Sequence, residues 1–249
     1  MPKTQNNFQT IMIILYILAL TFYILNCINM AMKITYYGHS AFNITTGNGA
    51  RIIIDPYESG AFNGTLSYGR ITDEADIVIT SHNHADHNYT KDIKGKFVLI
   101  NTKASNEIKD VKIKTIAAFH DSSAGEKRGA NLISVICTDN LTLAHMGDLG
   151  HNLDNRTIQE MGKIDVLLLP VGGVFTIDAA TATKVMADIK PLITIPMHYK
   201  TARCAFPIAD VENFTKGKKS VCMLNKAEFT ITGETLPDQP KIIVMQYAL

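Results

Sequence analysis

The stretch Ser81-His82-Asn83-His84-Ala85-Asp86-His87 places three imidazoles and a carboxylate within seven residues. Packing does not explain such a density of titratable groups. Neutral imidazole together with carboxylate suits zinc, with iron or manganese as substitutes. If the stretch starts extended, His82 and His84 point the same way, because side chains two apart in a strand share a face. A tight turn after them brings Asp86 and His87 round to a neighbouring position, so that one short loop supplies ligands to two ions. Three further metal-capable residues each follow a predicted strand: His120, Asp148 and His198.

The elements that must position these residues are mostly strands. Runs from Lys33 to Tyr37, Ala41 to Thr45 and Arg51 to Ile54 are β-rich, and Thr46-Gly47-Asn48-Gly49 is a hairpin signal between the last two. Asp55-Pro56 ends the third run, and the Gly/Asn/Ser-rich stretch from Ser59 to Gly69 reads as a loop. Asp76 to Thr80 is an apolar run that delivers the histidine cluster at its carboxyl end, where α/β sheets place their ligands.

Further strands are predicted at Phe97 to Ile100, Val111 to Phe119, Asn131 to Cys137, Leu141 to Ala144, Asp165 to Leu169 and Leu192 to Pro196. Two late ones are predicted at Lys226 to Thr232 and Lys241 to Tyr247. Helices are predicted at Arg156 to Gly162 and Asp178 to Ile189, the latter with Asp178 at its start and Pro191 just past its end. Strands followed by strand and helix alternation, twice over, predict two sheets packed face to face with helices outside, an αββα sandwich of the α+β kind.

Lys plus Arg number 24 and Asp plus Glu 23, a formal net charge of +1, so no global field steers nucleic acid or an acidic partner to this chain. Lys216-Gly217-Lys218-Lys219 is the one dense basic cluster and reads as a solvated turn. Cys137, Cys204 and Cys222 are an odd number in the body of the chain with no CxxC spacing, which predicts free thiols and a reducing compartment. Asn-x-Thr triplets recur, but one begins at Asn88, directly after the histidines, where a glycan would obstruct the cluster; they reflect an Asn/Thr-rich composition.

Residues 1–32 form a hydrophobic N-terminal segment, with no charge between Ile11 and Leu25. Residues 8–28 approach the ~20 residues that a membrane helix needs. The expectation is a membrane anchor. The alternatives are a signal peptide and upstream sequence read from a wrong start, since Met30 and Met32 stand directly before the first strand of the expected domain at 33–249. The protein is then membrane-anchored if the segment is retained and cytoplasmic if it is not.

The pattern His82-x-His84-x-Asp86-His87 resembles the HxHxDH signature of the metallo-β-lactamase superfamily, and the resemblance runs from about Lys33 to Leu249. It implies the four-layer αββα fold of that family. It also implies that His82, His84 and His120 bind one metal, that Asp86, His87 and His198 bind another, and that Asp148 bridges them. His120-Asp121-Ser122, His145-Met146-Gly147-Asp148 and Pro196-Met197-His198-Tyr199 look most like the branch of metal-dependent hydrolases that includes ascorbate-phosphate lactonase-like and N-acyl-phosphatidylethanolamine phospholipase D-like proteins. His84 stands where the flavo-diiron oxygen reductases of this fold have glutamate, which favours hydrolysis over redox chemistry.

The implied function is a binuclear zinc hydrolase, with two Zn2+ per chain. A hydroxide held between ions about 3.5–4 Å apart would attack an ester, lactone or phosphodiester, with no protein nucleophile. Asp86 and Asp148 would be its catalytic carboxylates, and the substrate a small molecule or a lipid-like one. The alternatives are a membrane-tethered metal-binding sensor or structural protein without turnover and, disfavoured by the balanced charge, a metallo-nuclease. Four other groups are weighed against ordinary structural roles. His39 is expected to stabilise a turn, His145 is left out of the ligand set, Asp55 is equally a strand terminator or a partner of a ligand imidazole, and Gly172-Gly173 is a turn or a point of close backbone approach.

Overall fold

The computed structural model describes residues 9, 11–18 and 31–249. Strands Met32–Gly38 (β1), Ala41–Thr45 (β2), Arg51–Ile54 (β3), Ile77–Ile79 (β4) and Val98–Ile100 (β5) join Glu228–Ile231 (β13) in a six-stranded sheet of order β13-β1-β2-β3-β4-β5. The second sheet has eight strands. It contains Ser105–Ile108 (β6), Val111–Phe119 (β7), Ala130–Thr138 (β8), Leu141–His145 (β9), Val166–Pro170 (β10), Ile193–Met197 (β11), Val221–Leu224 (β12) and Lys241–Met245 (β14), in the order β12-β14-β11-β10-β9-β8-β7-β6. Helices Asn155–Met161 (α1), Ala179–Ile189 (α2) and Val211–Thr215 (α3) and a short 3-10 turn at Gly233–Thr235 complete the regular elements of the described residues beyond residue 31.

Sequence pattern separates central strands from outer ones. All five residues of β10 (VLLLP) and all five of β11 (ITIPM) are buried, as expected of parallel strands covered on both faces. Removing each such Leu or Ile from water stabilises the fold by about 1.5–3 kcal/mol. By contrast β7 alternates buried and more exposed positions and pairs antiparallel with β8. Pro196 is tolerated inside β11 because the neighbouring β14 pairs only with Ile193 and Thr194, so no partner needs the missing N–H.

Ile52, Ile54, Ile77 and Ile79 face the second sheet's residues in the main core, whereas Ile53 and Val78 point to the opposite face. There they pack against Tyr57, Leu66, Tyr68, Ile71 and Ile93 from the segments between strands. Loop residues thus cover the outer face of the first sheet, while Ala182 and Val185 of α2 pack with the second. The sandwich is the metallo-β-lactamase arrangement that the resemblance implies, with few helices.

The ends of the strands decide where chemistry gathers. β3 and β4 are parallel, and β1 shares their direction because β2 is antiparallel to both β1 and β3. In the second sheet β9, β10 and β11 are parallel, and β7 joins them in direction because β8 opposes both β7 and β9. The carboxyl ends of these strands release His39, Asp55, the 81–87 loop, His120, Asp148 and His198.

Among the described residues no helix is long and apolar enough to cross a membrane. Residues 11–18 are helical and exposed. Most of the 8–28 segment expected to anchor the chain lies outside the described residues.

Candidate metal centre

The 81–87 loop leaves β4 and turns tightly, with the amides of His87 and Asn88 both donating to the His84 carbonyl at 2.9 and 3.1 Å. This is the turn anticipated after His84. His82 Nε2 and His84 Nδ1 come within 2.9 Å of each other, and the His120 ring centroid is 4.7 Å from that of His82 and 5.3 Å from that of His84. His82, His84 and His120 therefore aim their donors at one pocket. A second pocket is formed by His39, Asp86, His87 and His198, all buried.

Asp148 stands between the two. Its Oδ2 lies 3.1 Å from His120 Nε2, 3.2 Å from His87 Nε2, 3.4 Å from His198 Nε2 and 3.9 Å from His82 Nε2. One carboxylate oxygen thus faces imidazoles from both pockets. All seven residues proposed from the sequence are brought together.

The supports of these side chains are specific. Asp55 accepts from the Ser81 amide at 2.7 Å and the Ser81 hydroxyl at 2.6 Å, and lies 2.8 Å from His87 Nδ1. That contact fixes the tautomer of His87 so that Nε2 is left for the pocket. Asn131 holds the Asp148 loop at two points, donating to the Met146 carbonyl and accepting from the Asp148 amide, each at 2.9 Å. Gly147 must be glycine here, because a Cβ would sit 2.3 Å from Asn131 Oδ1. Gly172 presses on the His198 loop: a Cβ there would lie 2.2 Å from the His198 carbonyl oxygen. Close backbone approach, rather than a turn alone, explains that glycine.

Two residues given weaker roles by sequence reach the site. His39 Nε2 is 3.1 Å from Asp86 Oδ2, and the His39 ring lies 4.2 Å from that of His198. His39 also sits in the turn between β1 and β2, at φ 54°, and its carbonyl accepts from the His198 amide at 2.8 Å. Asp55 is the partner of the His87 imidazole and also the residue that follows β3. The signal for both was present in the chain: each is a titratable residue just past a β-rich run, as His120 and His198 are. His145 is correctly outside the donor set, because Nε2 donates to the Ser40 carbonyl at 2.9 Å and Nδ1 accepts from the Gly147 amide at 3.1 Å.

Electrostatics follow from this crowding. Burial opposes ionisation of Asp148, yet the imidazoles of His198 and His87 hold its carboxyl well below the usual range. Burial likewise opposes charge on Asp86, but His87 and His39 hold its carboxyl low. Against its own burial, His87 is raised well above its ordinary value by Asp148, Asp86 and Asp55. Burial and the neighbouring His87 lower His82 to about 3, and burial and His198 lower His39 to about 4. His82 and His39 are therefore neutral near pH 7, the form in which an imidazole nitrogen binds a metal.

The donor set fits a divalent cation. Among the described residues Asp148 Oδ1 is buried with no hydrogen-bond partner, an unfavourable state that a cation relieves. Imidazole nitrogen and carboxylate oxygen are donors of the type zinc takes.

Comparison with known proteins agrees with this geometry. A family model described as "Beta-lactamase superfamily domain" matches residues 33–198. A relative from Carboxydothermus hydrogenoformans, named UPF0173 metal-dependent hydrolase, is 31% identical over 80% of this chain and 100% of its own. The chain belongs to this family of metal-dependent hydrolases. A family member from Thermococcus onnurineus is 33% identical over 79% of this chain and 98% of its own. Among solved structures, a proposed Zn-dependent hydrolase of the metallo-beta-lactamase superfamily from Thermotoga maritima superposes with a TM-score of 0.72 at 32% identity, covering 87% of this chain and 100% of that one. Igni18, a metallo hydrolase from Ignicoccus hospitalis, gives a TM-score of 0.58 at 26% identity over 75% and 89% of the two chains.

Proposed function

We propose that this metal-dependent hydrolase is binuclear and zinc-dependent, and that it cleaves an ester, lactone or phosphodiester bond in a small or lipid-like molecule. The observation that carries the proposal is the Asp148 oxygen lying 3.1–3.9 Å from imidazoles of two separate pockets. His82, His84 and His120 would hold one ion, Asp86, His87 and His198 the other, and Asp148 both. Bound zinc supplies Lewis acidity, which acidifies a water near neutral pH and polarises the oxygen of the bond under attack.

The chain's own residues supply the rest. Asp86, kept ionised and 3.1 Å from His39 Nε2, would accept a hydrogen bond from the attacking water and orient it. Asp55 keeps the His87 ring in place through its contact with Nδ1. His84 is exposed, so the His82/His84/His120 pocket opens to solvent and to substrate, unlike a closed structural site. Ser122 has no base to activate it, because the neighbouring His120 is committed to the pocket. The balanced charge argues against nucleic acid as the substrate.

The test is metal analysis of the full chain together with turnover of a panel of 4-nitrophenyl esters, lactones and phosphodiesters. The expectation is about two zinc ions per chain and turnover that disappears with chelation. A stoichiometry of one, or full loading with no turnover across the panel, defeats it.

A further inference from the structure

Beside the buried pocket stands an aromatic wall. The Phe206 ring centroid is 5.9 Å from that of His39, 5.3 Å from that of Phe62 and 5.5 Å from that of Phe175, and both Phe–Phe contacts are edge-on. The three phenylalanines come from three loops that the backbone ties together. The Ala205 amide donates to the Thr65 carbonyl at 2.9 Å and the Ala209 amide to the Gly172 carbonyl at 2.8 Å, so the Phe206 loop is fastened to the other two. Gly172 in turn rests on the His198 carbonyl. The wall is thus built into the same framework that places a metal-capable histidine.

The wall is not finished as core. Phe62 is 47% exposed, and Val174, beside Phe175, is 57% exposed. Val174 is β-branched and held at φ 62°, a conformation that such residues rarely adopt without a compensating reason.

A cation accompanies these apolar groups. Arg128 Cζ lies 5.6 Å from the Phe175 ring centroid, and among the described residues the guanidinium has no carboxylate partner. Its loop is rigid, because the Asp121 carboxylate accepts from the amides of Ser123, Gly125, Lys127 and Arg128. A guanidinium resting on an aromatic ring keeps its planar fork free for a carboxylate or phosphate.

We infer that Phe62, Phe175 and Phe206 form the subsite for an acyl chain or aryl group of the substrate, and that Arg128 anchors an anionic group on the same molecule. The substrate class is then a small anionic amphiphile bearing the hydrolysable bond. This assignment rests on the hydrolase reading of the metal centre for its turnover, but not for its binding.

The experiment separates the two. Binding of octanoate to the metal-free full chain is measured by calorimetry for wild type, Phe62→Ala, Phe206→Ala, Arg128→Gln and the charge-matched control Lys219→Gln, with thermal melts to check folding. The expected result is a roughly tenfold weaker Kd for Phe206→Ala and for Arg128→Gln, a smaller loss for the exposed Phe62, and no change for Lys219→Gln. In parallel, kcat/KM of the zinc-loaded wild type for 4-nitrophenyl esters should rise about tenfold or more from acetate to octanoate, and Phe206→Ala should flatten that rise. No octanoate binding by wild type, or equal affinity in all variants, overturns the subsite even if esters are hydrolysed. Variant-sensitive octanoate binding without any turnover supports the subsite and overturns the hydrolase reading instead.

Discussion

The two halves of the metal centre are built differently. His39, Asp86, His87 and His198 are all buried and include a carboxylate, and Asp55 holds the His87 ring from behind. His82, His84 and His120 are three imidazoles, of which His84 is exposed and His82 half-buried. The first pocket is pre-organised and charged. The second holds no carboxylate and is open. Burial strengthens attraction between carboxylate and cation and slows exchange, so the buried pocket should hold its ion more firmly while the open one meets substrate.

The largest effect that can test this contrast is at the residue common to both sides. Asp148→Ala should lower turnover by more than the roughly 10–100-fold that loss of an outer partner costs, and should reduce metal content in both pockets. Activity near wild type in Asp148→Ala and Asp86→Ala would defeat the shared-carboxylate mechanism. A smaller and one-sided effect is expected at the support. Asp55→Ala removes the partner of His87 Nδ1 and should weaken one of two zinc sites by about 10–100-fold, leaving the other near its wild-type affinity. Equal weakening of both sites, measured by competition with a chromophoric chelator, would show that the pockets are not independently supported.

Stepwise chelation gives a third comparison. One ion should leave well before the other, and His84→Ala should abolish the weaker site alone. Simultaneous release in the wild type would remove the distinction.

The smallest effect concerns protons. In the metal-free protein His87 is raised well above 6.5 and carries a proton near neutrality, whereas His82, at about 3, does not. Metal entering the buried pocket must displace that proton, so binding there should release it and strengthen as pH rises towards the raised value of His87. His82 in the open pocket has no such proton to release. Calorimetry in buffers of different ionisation enthalpy measures the difference, and equal release from both sites would contradict the assignment.

The legible parts of the sequence were those where apolar pattern and turn chemistry agree. β2 and β3 fall where their β-rich runs and Gly-rich hairpin place them, and α2 begins after the expected Asp178 cap, whose side chain accepts from the Thr181 amide at 2.8 Å. β6 and β12 were missed because they are edge strands with no fully buried residue, and their segments SNEI and VCML show no apolar–polar alternation. The five-residue α3 is too short for a helical period to register. β10 and β11 each run one residue past their expected ends, through Pro170 and Met197.

At the site, the chain alone marked His82, His84, Asp86 and His87 as a candidate metal loop, because four metal-capable groups in six positions leave little other chemistry. It also marked His120, Asp148 and His198 by their places after strands. Tertiary structure decided what those places mean. Pairing β1 and β3 into the same sheet as β4 brings His39 against Asp86 and Asp55 against His87, contacts spanning 47 and 32 positions that no local spacing encodes. The same packing draws Phe62, Phe175 and Phe206 from three loops into one wall. Local pattern fixes which residues stand at strand ends, and only the direction and order of the strands fix which of those ends meet.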